Sequence, residues 1–121
     1  MDIERKYGEK IIVKNESRFF FLNTKDIRYI SAYDNYLKLH FAKKVYLIRE
    51  TMSGIEEILD PSTFIRIHRS IIVNINYVTE VLPRSHGDYF ALLKDGTRLN
   101  LSRNFSSRLL NRNGNGLLKC Y

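Results

Sequence analysis

The stretch FIRIHRSIIVNINYV, residues 64–78, constrains the fold more than any other part of the chain. Phe64, Ile65 and Ile67 surround Arg66, and Ile71, Ile72 and Val73, closed by Asn74, follow. β-Branched runs of this kind read as buried, strand-like segments. Burying both runs pins His68-Arg69-Ser70 in a short, stiff connection. A rigid scaffold that presents a polar loop is a common way to build a binding site. Two readings of the loop stay open. Either Arg69 is offered to a nucleic-acid partner, or Arg69 is solvated while His68 and Asn74 satisfy buried backbone groups.

The rest of the chain is short strands. Residues 1–9 are charged and read as a mobile arm. Ile11–Val13 and Phe19–Leu22 predict a hairpin turned at Asn15-Glu16-Ser17. Residues 23–26 read as a turn, and extended structure resumes over 27–32. Asp34-Asn35 breaks that strand, because both side chains bond nearby backbone. Tyr36, Lys38 and His40 then alternate with Leu37, Leu39 and Phe41, the period of a half-buried antiparallel strand. Val45, Leu47 and Arg49 alternate with Tyr46 and Ile48 on the return. Ser53 and Glu56 match a capping box for a helix that carries Ile55, Ile58 and Leu59 on one face and stops at Pro61. Strands follow over 78–82 and 88–93. Asp95-Gly96 predicts a type I′ hairpin into a strand over 98–101. Ser102 is expected to cap a last short helix through Leu110, with Phe105 and Leu109 inward. Residues 111–121 read as a flexible tail. About eight short strands and two short helices make a mostly-β domain of antiparallel hairpins over 10–110.

Lys and Arg number 20 against 13 Asp and Glu, a net charge of +7. That balance favours an anionic partner, nucleic acid before an acidic membrane surface. A hydrophobic fraction of 44% excludes disorder as the expectation. The single cysteine, Cys120, cannot form an internal disulfide and fits a reducing compartment. No run approaches the roughly 18 apolar residues of a membrane span, and the N-terminus lacks the apolar core of a secretory signal. A cytoplasmic domain is expected.

Catalysis is not expected. His40, His68 and His86 are far apart in sequence, Cys120 is alone, and neither a metal-ligand spacing nor a phosphate-binding glycine motif occurs. No cofactor or metal is expected. What recurs is a polar loop tipped with Asn or Arg: Asn35, Arg69, and Arg103-Asn104 after Ser102. Arg matches the acceptor pair of guanine, and Asn the donor–acceptor pair of adenine. Ser102 and the N–H groups of a helix start suit a phosphate. Taken singly, Asn35 reads as a turn former and Arg103 as a solvated residue.

The chain resembles the LytTR domain, the DNA-binding domain of bacterial LytR/AlgR-type response regulators. The resemblance runs over residues 10–110. It rests on FIRIHRSIIVNINYV (64–78), DIRYISAYDNYLKLHF (26–41), YLIRETMSGIEEIL (46–59) and LLKDGTRLNLSRNF (92–105), in that family's order. It implies an elongated stack of small antiparallel sheets with two or three short helices. It implies loop tips entering successive major grooves of double-stranded DNA, probed in transcription regulation within a two-component phosphorelay. By position, Asn35, Arg69 and Arg103 become the base-reading tips. Tyr36, Lys38, Arg66, His68, Ser102 and Asn104 become backbone contacts or supports, with His68 bracing its loop. Paired DNA repeats are implied, with self-association on DNA possible. Regulators of this class carry a receiver domain for which this chain has no room, so it reads either as an excised domain or as a stand-alone regulator.

Two other readings belong to different classes. An RNA- or single-strand-binding β domain would stack bases on exposed aromatics, for which Tyr29, Tyr36 and Tyr46 are candidates. A protein-interaction module would use the 19–22 edge by strand addition.

Overall fold

The computed structural model describes residues 1–110, with Arg5, Tyr7 and Ser107 described by their backbone alone. The expected tail at 111–121 and Cys120 lie outside the described residues. The chain begins with β1 (Asp2–Tyr7), β2 (Lys10–Asn15) and β3 (Arg18–Asn23), and after a 3-10 turn at Thr24–Asp26 come β4 (Tyr29–Tyr33), β5 (Tyr36–His40) and β6 (Val45–Ile48). The helix α1 (Met52–Ile58) leads into β7 (Phe64–His68) and β8 (Ile71–Asn74). Then come β9 (Val78–Pro83), β10 (Tyr89–Leu93), β11 (Arg98–Leu101) and α2 (Ser106–Leu110). The fold is therefore mostly β, with eleven strands among the described residues where the sequence suggested about eight.

The strands form three antiparallel sheets: β1-β2-β3, the central β6-β5-β4-β8-β7, and β11-β10-β9. The central sheet lies between two cores. Ile30, Leu37, Leu39, Ile48, Phe64 and Ile72 from one of its faces join Ile11, Val13 and Leu22 of the first sheet and Met52, Ile55 and Leu59 of the helical segment. From its other face, Ile65, Ile67 and Val73 join Ala91, Leu93, Leu99 and Leu101 of the third sheet. The two runs 64–67 and 71–73 are apolar apart from Arg66 because β7 and β8 are covered on both faces. In β5 only Leu37 and Leu39 are buried, so its sequence alternates.

Asn74 fixes the join between these layers. It is 0% exposed. Its Nδ2 donates to the carbonyls of Lys25 and Ile27 at 3.2 and 3.0 Å, and its Oδ1 accepts the N–H of Asn76 at 3.0 Å. A buried amide must be bonded in this way to be tolerated. The expectation that Asn74 serves buried backbone groups holds. At the same end of the molecule, Arg28 reaches from the central sheet to Asp95 of the third across 2.7 Å.

Four expectations are corrected. Residues 1–9 contribute the strand β1 rather than an unpaired arm: Ile3 packs on the first core, and the carbonyl of Met1 accepts the N–H of Arg49 at 2.7 Å. The N-cap of α1 is Thr51, whose Oγ1 accepts from Gly54 N–H at 2.9 Å, rather than Ser53. Burial of Met52 draws the helix start back, and Glu56 is released from capping. At Asp95-Gly96 only Gly96 has positive φ, at 90°, and its N–H bonds the Leu93 carbonyl. That is a three-residue loop over 94–96 with glycine in the left-handed position, rather than type I′. Ser102 does not cap α2, which begins at Ser106; its carbonyl instead accepts from Phe105 N–H in a separate turn. Within that segment Leu109 packs on the second core.

Candidate nucleic-acid interface

The three loop tips meet at one end of the central sheet. Tyr33 pairs with Tyr36, so Asp34 and Asn35 form a two-residue turn, with Asp34 at φ 56° and Asn35 exposed. An Asp accepts the left-handed region more readily than most side chains. The strand before this turn lies against the next loop: Ala32 N–H donates to the Ser70 carbonyl at 2.9 Å. The Arg69-Ser70 turn therefore stands beside the Asn35 turn. Ser102 N–H donates to the Ile67 carbonyl at 2.9 Å, which brings the chain leaving β11 against the end of β7. Arg103 follows at once, exposed, with its N–H held by Asp88 Oδ1 at 3.2 Å. Asn104 is exposed beside it, and Ser102 is half-buried.

The supports are arranged around Arg69. His68 Nδ1 accepts the N–H of Ser70 at 3.1 Å, which closes the turn and places the ring proton on Nε2. Arg66 Nη2 donates to the Arg69 carbonyl at 2.6 Å. Its Nη1 faces Glu56 Oε1 at 3.4 Å, and its Nε is buried without a hydrogen-bond partner among the described residues. Arg66 is thus engaged by contacts inside the protein. The exposed Arg69 side chain projects from backbone that two neighbours hold.

Lys38 lies on the face of β5 that the first core does not cover. Its Nζ stands 4.2 Å from the centroid of the Tyr33 ring, an attraction that holds the cation toward the Asn35 turn. Lys38 also acts on its neighbour His40. Burial first, and then the Lys38 charge, hold the His40 imidazole below its ordinary titration range. That ring stacks on Tyr29 at 3.9 Å, and its Nε2 bonds Ser31 Oγ at 2.8 Å.

Three arginines at this end were not singled out from the sequence. Arg49, exposed, hydrogen-bonds with Tyr36, which favours its charged form. Together with Asn35 it borders a cleft of about 550 Å³. Its alternation with Val45 and Leu47 was the available signal, since that places it on the Tyr36–Lys38 face. Arg84 bonds Asn100 Oδ1 in the loop before β10. Arg108 reaches Glu56 Oε2 at 3.5 Å. No sequence signal marked these two, because their neighbours come from distant segments.

The three tyrosines considered for base stacking do not form one platform. Tyr29 packs toward the second core, whereas Tyr46 packs toward the first, against Phe20 and Phe41. Among the described residues, no group of three or more His, Cys, Asp or Glu could hold a metal ion, and no helix is long and apolar enough to cross a membrane.

Known proteins share this sequence and this fold. Sensory transduction protein LytT of Bacillus subtilis is 32% identical over 102 residues, covering 84% of this chain and 39% of that protein. Its counterpart in Bacillus anthracis is 29% identical over 100 residues, covering 83% and 41%. Transcriptional regulatory protein LytR of Staphylococcus aureus is 26% identical over 104 residues, covering 86% and 42%. The chain thus spans about two fifths of the length of these relatives. A solved LytTr DNA-binding domain from Bacillus cereus superposes with a TM-score of 0.73 at 22% identity, over 84% of this chain and 93% of that one. The model of the LytTr DNA-binding domain family matches residues 17–113, and on that match the chain belongs to this family of DNA-binding domains found in response regulators.

Proposed function

We propose that this domain binds double-stranded DNA sequence-specifically, with Asn35, Arg69 and Arg103 reading base edges in successive major grooves. The observation that carries the reading is the convergence of these three loops, through the Ala32–Ser70 and Ser102–Ile67 bonds, on one end of a rigid stack. Tips fixed by backbone bonds lose little freedom on docking, which favours discrimination. Lys38, Arg49 and Asn104 flank the tips and serve phosphates, with Tyr36 and Ser102 beside them. His68 and Arg66 hold the Arg69 turn. Residues 10–110 form the binding unit in this reading, and β1 adds an edge to it. The domain would act as the output of a cytoplasmic transcriptional regulator. A modest contact surface makes paired repeats, occupied by two copies, the natural target.

Selection of bound duplexes from a random pool tests this, followed by competition with single strands of the selected sequence. Enrichment of one motif, binding lost on strand separation, and stronger binding to two repeats than to one are expected. Equal binding to single strands would favour the RNA-type reading, which the split orientation of Tyr29 and Tyr46 does not support. Strand addition remains a second reading on one observation: β3 is an edge strand with Phe19 and Phe21 exposed at 56% and 60%. Association insensitive to salt would favour it.

A further inference from the structure

We propose that Glu56 is a specificity-positioning residue: it steadies the Arg69 turn through Arg66, and it keeps Arg66 and Arg108 from phosphate. The inference rests on the DNA-binding reading above and adds to it a residue that touches no DNA.

Glu56 sits on α1, which Met52 and Ile55 anchor in the first core. Because Thr51 supplies the N-cap, Glu56 has no capping duty and turns toward β7 and α2. Each carboxylate oxygen takes one arginine, Oε1 facing Arg66 Nη1 at 3.4 Å and Oε2 facing Arg108 Nη1 at 3.5 Å. Both guanidiniums also lie over the Phe105 ring, at 5.9 and 4.7 Å. The opposite edge of Arg66 grips the Arg69 carbonyl. A continuous link therefore runs from helix to carboxylate to guanidinium to the backbone of a reading tip.

The exposure of the three side chains decides what this link is for. Arg66, Glu56 and Arg108 are 20%, 37% and 52% exposed. Ion pairs this wet contribute little stability. They do hold charge in place, and they withhold it. An arginine paired to a carboxylate releases few counterions on meeting a phosphate, whereas an unpaired one adds to the salt dependence of binding. Glu56 stands one residue link away from Arg69, so a nearby duplex backbone would compete for both of its partners. Neutralising Glu56 should therefore raise affinity for any DNA while loosening the tip that tells sequences apart. A purely structural role would lower affinity for all sequences together.

The test uses the whole chain, the duplex that wild type selects from a random pool, and a scrambled duplex. Glu56→Gln should bind the scrambled duplex severalfold more tightly and steepen the salt slope by about one to two. It should also lower the selected-to-scrambled ratio about fivefold or more. Glu56→Asp, which keeps the charge, should stay close to the wild-type slope. Adding Arg108→Ala to Glu56→Gln should return the slope toward wild type and leave the ratio low. A folded Glu56→Gln with wild-type slope and ratio overturns the proposal. Should Glu56→Gln not fold, Arg66→Gln cuts the same link from the other side, and an unchanged ratio there overturns it equally. If wild type itself enriches no duplex, the DNA-binding reading fails instead, so the two failures are distinguishable.

Discussion

The Nη2 of Arg66 donates to the carbonyl oxygen of Arg69 across 2.6 Å, so one arginine side chain fixes the backbone from which another projects. Two neighbouring arginines of one strand end thereby divide into a support and an exposed tip. Arg66→Ala is expected to destabilise the fold by about 1–2 kcal/mol, through loss of a charged hydrogen bond and of packing on Phe105. It should reduce discrimination between selected and scrambled duplexes more than it changes the salt slope. Urea unfolding combined with binding titrations checks both. A lower slope with an intact ratio would return Arg66 to the role of a phosphate contact.

Arg69 and Arg103 project from held backbone at adjoining tips. Arg69→Ala and Arg103→Ala should each weaken the selected duplex by about 1–3 kcal/mol and relax preference at one base position. Lys38→Ala should weaken selected and scrambled duplexes alike and lower the salt slope by about one. Salt-dependent titrations of the three variants decide this. If both arginine variants fold and discriminate as wild type does, the base-reading assignment is wrong.

Asn74 bonds three backbone groups from a position that water does not reach. Asn74→Ala leaves the Lys25 and Ile27 carbonyls and the Asn76 N–H short of these partners. A loss of about 2–3 kcal/mol is expected, or roughly 10 °C in the melting temperature. Selectivity for DNA, measured well below the transition, should persist, because Asn74 lies at the end away from the tips.

His40 makes the stability depend on pH in a defined direction. Burial and Lys38 lower its affinity for a proton in the folded state relative to the ordinary value of 6.5. As pH falls through 6.5, the unfolded chain takes up the proton first, so stability declines with falling pH. The full contribution is present above the unfolded value and fades toward the folded one. His40→Gln should flatten the difference in stability between about pH 7.5 and 5.5, even if it weakens the fold throughout by losing the Tyr29 stack. An unaltered difference would exclude His40 as its source.

Much of this architecture is readable in the sequence where a local pattern has a local cause. The alternation from Tyr36 to Phe41 reports a strand covered on one face, and the paired runs around His68-Arg69-Ser70 report a hairpin. The tips Asn35, Arg69 and Arg103 are legible because turns demand small polar or exposed residues there. The failures come from tertiary demands. Ser53 and Glu56 fit a capping box by spacing, yet the burial of Met52 moves the cap to Thr51. The charges around Ile3 suggest an arm, yet backbone pairing with β2 and the packing of Ile3 on the first core make it a strand. Arg108 carries no local mark, because its partner Glu56 comes from a helix far away in sequence.

The two covered faces of the Phe64–His68 and Ile71–Asn74 strands carry a consequence for how such a scaffold can acquire a new target. Inserting one residue within either strand would exchange the sides that the residues beyond it present to the two cores. Length variation is therefore closed within these two strands. Exchange of the exposed Arg69 side chain is open, since nothing in either core touches it. On the proposed base-reading assignment, retargeting should proceed by substitution at Asn35, Arg69 and Arg103 on an unchanged frame, and libraries randomised at these positions alone would yield altered operators.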